Sequence, residues 1–398
     1  MLELFAVRGQ LAITLGVHVT VAAAAWSASL LAADAHRRGE AGDHWNARAT
    51  LAARTAVATA ALVLVQLPVF WSEAVGTAGL GVFGPLVVAF GLVVARAMVL
   101  QRRPDGAGAV WASVLGAASG CIGLLVAGWL STPHLLVQAA DGGVSVPLAA
   151  IWTNPSGWMR VVHVGSAALT VGGAIYAAGA ARRQQLTAQR RALLFVLVAL
   201  FAQPLMAVLS FRDMGRNEPV KAAAVAAHWK TTSSADLQLG SWPYDFGEAS
   251  RPGVVVDGML STILHGDSDA EVIGLLDFPM EGRPPVAALH LAFQGMLVMV
   301  LLALVLTGIV MVRARRGPVS RWLLGAGLVP MTLGAWLLCW LVNELGRQPW
   351  TIRNVLRVGD ATWLPRGLAP AACIVLVLLS LGLSGRLVWQ SRRLGHRA

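Results

Sequence analysis

Nine stretches of this sequence are long and apolar enough to cross a lipid bilayer, approximately 10–33, 50–71, 80–100, 109–130, 159–181, 192–211, 285–312, 322–345 and 367–390. A hydrocarbon core about 30 Å thick takes roughly 20 residues of helix. Inside it every backbone N–H and C=O must find a partner within the segment, and the helix provides that. Only 13% of the 398 residues are charged and 56% are hydrophobic. A soluble domain carries about 25% charged residues, so a soluble globular enzyme is excluded, and the mean hydropathy of +0.65 excludes disorder. The first stretch ends in an alanine run, Ala22–Ala25, that could pass for a cleaved leader. It is too long for one, and Glu3 as well as Arg8 precede it, so it reads as a spanning helix. The expected fold is an all-α polytopic membrane protein, a single membrane domain over 1–398.

The charge pattern orients the spans. The net charge is +11, almost wholly arginine, because Lys221 and Lys230 are the only lysines. In a soluble chain that balance would suggest nucleic acid; here the arginines sit in short clusters between apolar runs, so no nucleic-acid partner is expected. Arg37, Arg38 and Arg48 follow span one, and Arg102 and Arg103 follow span three. Arg182, Arg183, Arg190 and Arg191 follow span five; Arg313, Arg315, Arg316 and Arg321 follow span seven; Arg392, Arg393 and Arg397 follow span nine. The loops after spans two and four hold no Lys or Arg. Positive residues collect on the cytoplasmic side, so odd-numbered spans end inside and the N-terminus lies outside. Cys121, Cys339 and Cys373 lie in apolar runs and read as small hydrophobes.

Residues 212–284 form a polar outer connection between spans six and seven, 73 residues long, with eleven Asp/Glu and both lysines. A connection of that length is functional or disordered rather than a plain link. The apolar runs Val254–Leu264 and Val272–Phe278 argue for order.

An ionisable side chain inside a membrane helix costs about 2.5–3.5 kcal/mol on insertion scales and calls for a reason. The candidates are His18 in span one, His163 in span five, His290 in span seven and Glu344 at the end of span eight, with the thioether of Met296 as a soft ligand. At about 1.5 Å per residue, all of them fall in the outer half of the bundle. Imidazoles, one carboxylate and one thioether in a dry bundle suit haem iron better than zinc. Each residue also has a plainer reading: a histidine hydrogen-bonds to a neighbouring helix, Met296 fills space, and Glu344 pairs with Arg347 one turn away.

The segment Trp340-Leu-Val-Asn-Glu344-Leu-Gly346-Arg347-Gln348-Pro349-Trp350 resembles the signature of cytochrome bd-type quinol oxidase subunit I. Other parts fall in line. Arg8-Gly-Gln-Leu-Ala-Ile-Thr with His18 resembles the family's first helix, and Gly128-Trp129 with Pro133 its fourth-helix exit. Asn154-Pro155 before His163, Phe293-Gln-Gly-Met296, and Leu260 to Pro279 in the long connection resemble the fifth helix, the seventh helix and the quinol loop.

The resemblance implies nine helices with an outer N-terminus, three haems, and a place in the respiratory chain of a bacterial cytoplasmic membrane. His163 and Met296 would hold a low-spin haem b that takes electrons from quinol, with His290 as competitor for the Met296 role. His18 and Glu344 would serve two high-spin haems, a haem b and either haem d or another b, where oxygen becomes water; which ligand serves which is left open. Trp340 and Trp350 would pack haem edges, and Arg347 would neutralise propionates. Lys221 and Asp213 would belong to the quinol site. A homologous second membrane subunit is the implied partner, and a small single-span subunit is left open.

The sequence departs from the family in places. Its third helix carries two proton-leading glutamates, whereas Phe83 to Arg96 holds no carboxylate. Arg96 itself lies near the inner end, where it is expected to snorkel to the interface. Ala127, Gln294 and Ala226 stand where the family has Asn, Arg and Glu. Protons would then enter through a partner subunit, from outside near Glu344, or past Thr55, Thr59 and Gln66. A second reading follows: a divergent, non-oxidase paralogue that binds haem as an electron-entry or structural subunit.

Overall fold

The computed structural model describes residues 2–39, 43–138, 144–244, 247–317, 319–362 and 369–396. Among the described residues, nine helices are long and apolar enough to cross a membrane. Spans one to four are α1 (Leu2–Arg37), α2 (Asp43–Phe70), α3 (Ser72–Arg102) and α4 (Gly106–Ser131). After the short α5 (Leu148–Trp152) come spans five and six, α6 (Pro155–Arg182) and α7 (Leu186–Asn217). Two short helices follow, α8 (Pro219–Ala226) and α9 (Met259–His265), and then span seven, α10 (Val286–Ala314). Span eight opens as a π-helical segment, Leu323–Leu328, and continues as α11 (Val329–Gly346). The four-residue α12 (Val358–Ala361) precedes span nine, α13 (Ala369–His396). Arg397, assigned above to the last cluster, lies outside the described residues. Helices overrun the apolar stretches because a helix continues into the polar interface. α7 reaches Asn217, past the expected end at 211, with Arg212, Asp213 and Arg216 in its final turns.

The chain divides into two compact units, Met1–Trp129 with His134–Gly157 and Gly359–Ala398, and Leu130–Pro133 with Trp158–Val358. In the first, α1 packs along α2, α2 along α3, and α13 on both α1 and α2. Its seams are built from small residues, one joining Val21, Ala25, Ala52, Ala56 and Val93, another Ala49, Ala53, Ala97, Leu100 and Ala112. Lipid tails are as apolar as leucine, so membrane helices associate through close backbone approach, which alanine permits. Arg96 departs from expectation. It does not snorkel: it is 2% exposed, and its Nη2 donates to Ser29 Oγ at 2.9 Å. The cause is Gly116 on α4, where a Cβ would lie 3.1 Å from Arg96 Nη1; the missing side chain leaves the room that the guanidinium fills.

In the second unit α10 packs on α7, α8 and α11. The 212–284 connection is ordered over its described residues and has its own core. Ala222–Ala227, Trp229, Leu260, Leu264, Val272 and Leu275 close over Phe211, Val286 and Leu289 at the helix ends. Three two-stranded ladders pin it: Thr232–Ser233 with Glu271–Val272, Leu237–Leu239 with Val254–Val256, and Trp242–Tyr244 with Ala249–Arg251. Both apolar runs anchor this core, through the fully buried Leu260 and Leu275.

Candidate functional site

The first unit carries a polar seam that ends at His18. Gln10, Thr14 and His18 recur every four residues and so share one face of α1. Gln66 of α2 donates to Thr14 Oγ1 at 2.9 Å and accepts from the Gln10 amide, and all three are at most 2% exposed. One turn deeper, His18 Nδ1 lies 3.0 Å from Thr59 Oγ1. The same hydroxyl lies within hydrogen-bond distance of the carbonyls of Thr55 and Ala56, 3.1 and 3.2 Å away. With Nδ1 donating to Thr59, Nε2 would keep the free lone pair that a metal ligand requires.

In the second unit the end of α11 folds the Trp340–Trp350 segment into a compact turn. Glu344 is 9% exposed; Arg347 Nη2 donates to its Oε2 at 2.9 Å and Asn343 Nδ2 to its Oε1 at 3.2 Å. The ion pair that the plainer reading offered is therefore present. It leaves Arg347 Nε buried without a partner. Gln348 Nε2 donates to the Glu344 carbonyl, and Arg357 stacks 5.2 Å from the Trp350 ring centre. Trp340 is half-buried on the same helix. Gly346 is required by its neighbour: a Cβ there would lie 2.5 Å from Lys221 Cε and 2.9 Å from Cδ, so the lysine stem crosses bare backbone.

That lysine belongs to a buried cluster. Glu218, 1% exposed, accepts from Arg160 at 2.9 Å through Oε1, and from Lys221 at 3.3 Å and Arg353 at 3.5 Å through Oε2. Arg160 also donates to Asn343 Oδ1, the residue before Glu344. Burial works to raise the Glu218 carboxyl, and Lys221, Arg160 and Arg353 outweigh it, holding it below the ordinary carboxylate range. Burial drives Lys221 down to about 8 against the pull of Glu218. Lys221, expected in the quinol site, is thus 3% exposed, while Asp213 on α7 is half-buried and accepts from Asn217 at 2.9 Å.

The histidine of α6 and the two candidates of α10 differ sharply. His163 Nδ1 is buried with no hydrogen-bond partner. His290 is fully buried with both nitrogens engaged, Nδ1 with the Val225 carbonyl at 2.8 Å and Nε2 with Ser241 Oγ at 2.9 Å. No nitrogen of His290 remains for a metal. Gln294 clamps the same loop: it donates to Gln238 O and accepts from Gly240 N. Met296 is half-buried on α10. No group of three or more His, Cys, Asp or Glu that could hold a bare metal ion occurs among the described residues.

Sequence reasoning passed over Arg160, Glu218 and Arg353, and it weighed Thr59 only as part of a proton path, not as the partner of His18. Arg160 carried a signal, a cation inside span five, one turn before His163. The others lie in connections or are neutral.

Known proteins share this architecture. The bd oxidase from Geobacillus thermodenitrificans superposes with a TM-score of 0.88 over 99% of this chain and 98% of that one, at 20% identity, a likeness of fold. The putative cytochrome bd menaquinol oxidase subunit I of Bacillus subtilis (strain 168) is 27% identical over 234 residues, 54% of this chain. The match spans 52%, about half, of that relative's length. The family described as cytochrome bd terminal oxidase subunit I matches residues 8–396, nearly the whole sequence, and the chain belongs to it.

Proposed function

We propose that this chain is the haem-bearing subunit I of a bd-type quinol:oxygen oxidoreductase in a bacterial cytoplasmic membrane, N-terminus outside, paired with a homologous second subunit. The observation that carries this is the folded Trp340–Trp350 segment, where Glu344 and Arg347 are paired and Arg347 Nε is left as a buried spare donor. Haem, when bound, supplies one-electron carriage from quinol and the iron at which oxygen is reduced. His163 and Met296 hold the low-spin haem b, and the orphaned His163 Nδ1 and the fully engaged His290 support that choice. His18 and Glu344 serve the high-spin pair, whose third-haem identity, b or d, is open. Arg347 turns its spare N–H to propionate oxygens, a guanidinium fork being matched to carboxylates. Trp340 and Trp350 pack the haem edges, and Lys221 and Asp213 border the quinol. A reduced-minus-oxidised spectrum with haem extraction tests the assignment. Three haems are expected, with a chlorin among them where the third is haem d; none would overturn it.

One observation favours the second reading, a haem-binding paralogue that does not reduce oxygen: Phe83 to Arg96 holds no carboxylate, and the one charge there, Arg96, is buried. A cation repels a proton rather than relaying it. Protons then come through the partner, or along the outer seam of Gln10, Gln66 and Thr14 that ends beside Thr59. A single haem b in the extract would select this reading.

Two variants probe the ligands. Met296→Leu should alter the low-spin spectrum and lower its potential on the order of 100 mV, since axial ligands set potentials over about 0.8 V and a thioether raises them. A redox titration with spectrum unchanged from wild type would remove Met296 from the site. Thr59→Val keeps the shape and deletes the oxygen that fixes the His18 tautomer. Haem affinity at His18 should fall about 10–100-fold, the usual effect of removing a ligand's hydrogen-bond partner, and Thr59→Ser should restore it. Resonance Raman of the iron–histidine stretch reports the change, and an identical stretch in Thr59→Val would refute the coupling.

A further inference from the structure

At the arginine-rich end of the second unit, the first turns of α7 and the last turns of α10 border an open surface cavity of about 390 Å³. It is lined by Arg190, Arg191, Leu194, Met311 and Arg315. Arg190 braces the two helices, donating from Nε to the Ala314 carbonyl at 2.7 Å and from Nη2 to the Arg315 carbonyl at 3.2 Å. Those carbonyls end α10 and have no helical partner of their own, so the brace is a C-cap supplied from another helix. Arg191 and Arg315 stay exposed at the rim, and Leu194 is 52% exposed. The runs 182–191 and 313–321 together hold eight arginines and no carboxylate.

Arginine at the end of a span records topology and nothing more. Here the arrangement adds to that, because cations from two helices converge on a floor made by an isobutyl group and a thioether. An inorganic anion would satisfy the guanidinium groups and leave that floor wet. A phospholipid has both parts, phosphate oxygens for the two forks and acyl methylenes for the floor.

We propose that this cavity binds an anionic phospholipid, its phosphate held by Arg191 and Arg315 and the upper part of an acyl chain lying on Leu194 and Met311. The site is separate from every residue assigned to haem or quinol, so its test does not depend on that assignment. The full chain is placed in phosphatidylcholine nanodiscs, and thermal unfolding is followed as cardiolipin is titrated. Cardiolipin should raise the melting temperature saturably. Each basic group beside an anionic lipid is worth about fivefold in affinity, so the Arg191→Gln/Arg315→Gln pair should weaken binding about thirtyfold. Arg313→Gln/Arg316→Gln removes the same charge from the same end but outside the cavity, and should change affinity by less than about threefold. All four side chains are exposed, so both pairs should fold and keep the wild-type melting point in pure phosphatidylcholine. Equal weakening in the two pairs, no cardiolipin response in the wild type, or the same response to inorganic phosphate alone would each overturn the proposal.

Discussion

Glu344→Ala is expected to empty one high-spin haem site and leave the low-spin haem in place. The carboxylate is 9% exposed at the end of α11, with one oxygen turned to Arg347 and the other to Asn343. A buried carboxylate in low dielectric is costly unless cations compensate it, and a ferric iron adds to what Arg347 provides. Alanine removes the oxygen donor and leaves the arginine buried beside an empty position, so haem retention should fall at least about tenfold, as for lost metal-ligand contacts generally. Arg347→Gln separates the two roles. It breaks the ion pair and keeps the carboxylate, so iron ligation should survive with a shifted potential. A haemochrome count with the low-spin spectrum as internal reference decides. Full haem content in Glu344→Ala would refute the ligand role, and equal losses in the two variants would assign the effect to the ion pair.

Residues legible in the sequence were those whose burden is local. A histidine in an apolar run stands out because water is absent from every side of it, and that marked His18 and His163 without reference to the fold. The spans were legible for the same reason: a backbone in hydrocarbon must close its hydrogen bonds within twenty residues or so. What escaped were pairings across long separations. Glu218 meets Arg160 from 58 residues away, and Thr59 meets His18 from 41, with neutral or loop residues on one side of each pair. The course of Arg96 was misjudged because it depends on the absence of a side chain on another helix, Gly116, and no window around Arg96 contains that glycine. His290 shows the reverse. Its position in a span made it a candidate ligand, and only the approach of the Val225 carbonyl and Ser241 hydroxyl reveals that its nitrogens are already engaged.

Glu218→Gln should be the most destabilising single change among these residues. The carboxylate is the common acceptor for Arg160, Lys221 and Arg353, whose side chains are 17%, 4% and 11% exposed. Removing one partner of a buried pair costs about 3–5 kcal/mol, because the uncompensated charge stays in low dielectric; here three cations lose one counter-charge together. Three elements would loosen at once, since Arg160 stands on α6, Lys221 on α8 and Arg353 beyond the Trp350 turn. Acid should mimic the substitution. The Glu218 carboxyl sits below its ordinary range in the folded chain, so its contribution is present above the unfolded carboxylate pKa and is lost as pH falls through the folded one. The glutamine variant should therefore melt lower at neutral pH and show a flatter acid slope than the wild type. Lys221→Met in the glutamine background removes one of the stranded cations and should recover part of the loss, whereas in the wild-type background the same change leaves Glu218 with two partners. Denaturation of the four chains over an acid series measures all of this as a double-mutant cycle. An unshifted melting point in Glu218→Gln, or no recovery in the double variant, would mean that the cations find other partners and that the cluster does not hold α6, α8 and the Trp350 turn together.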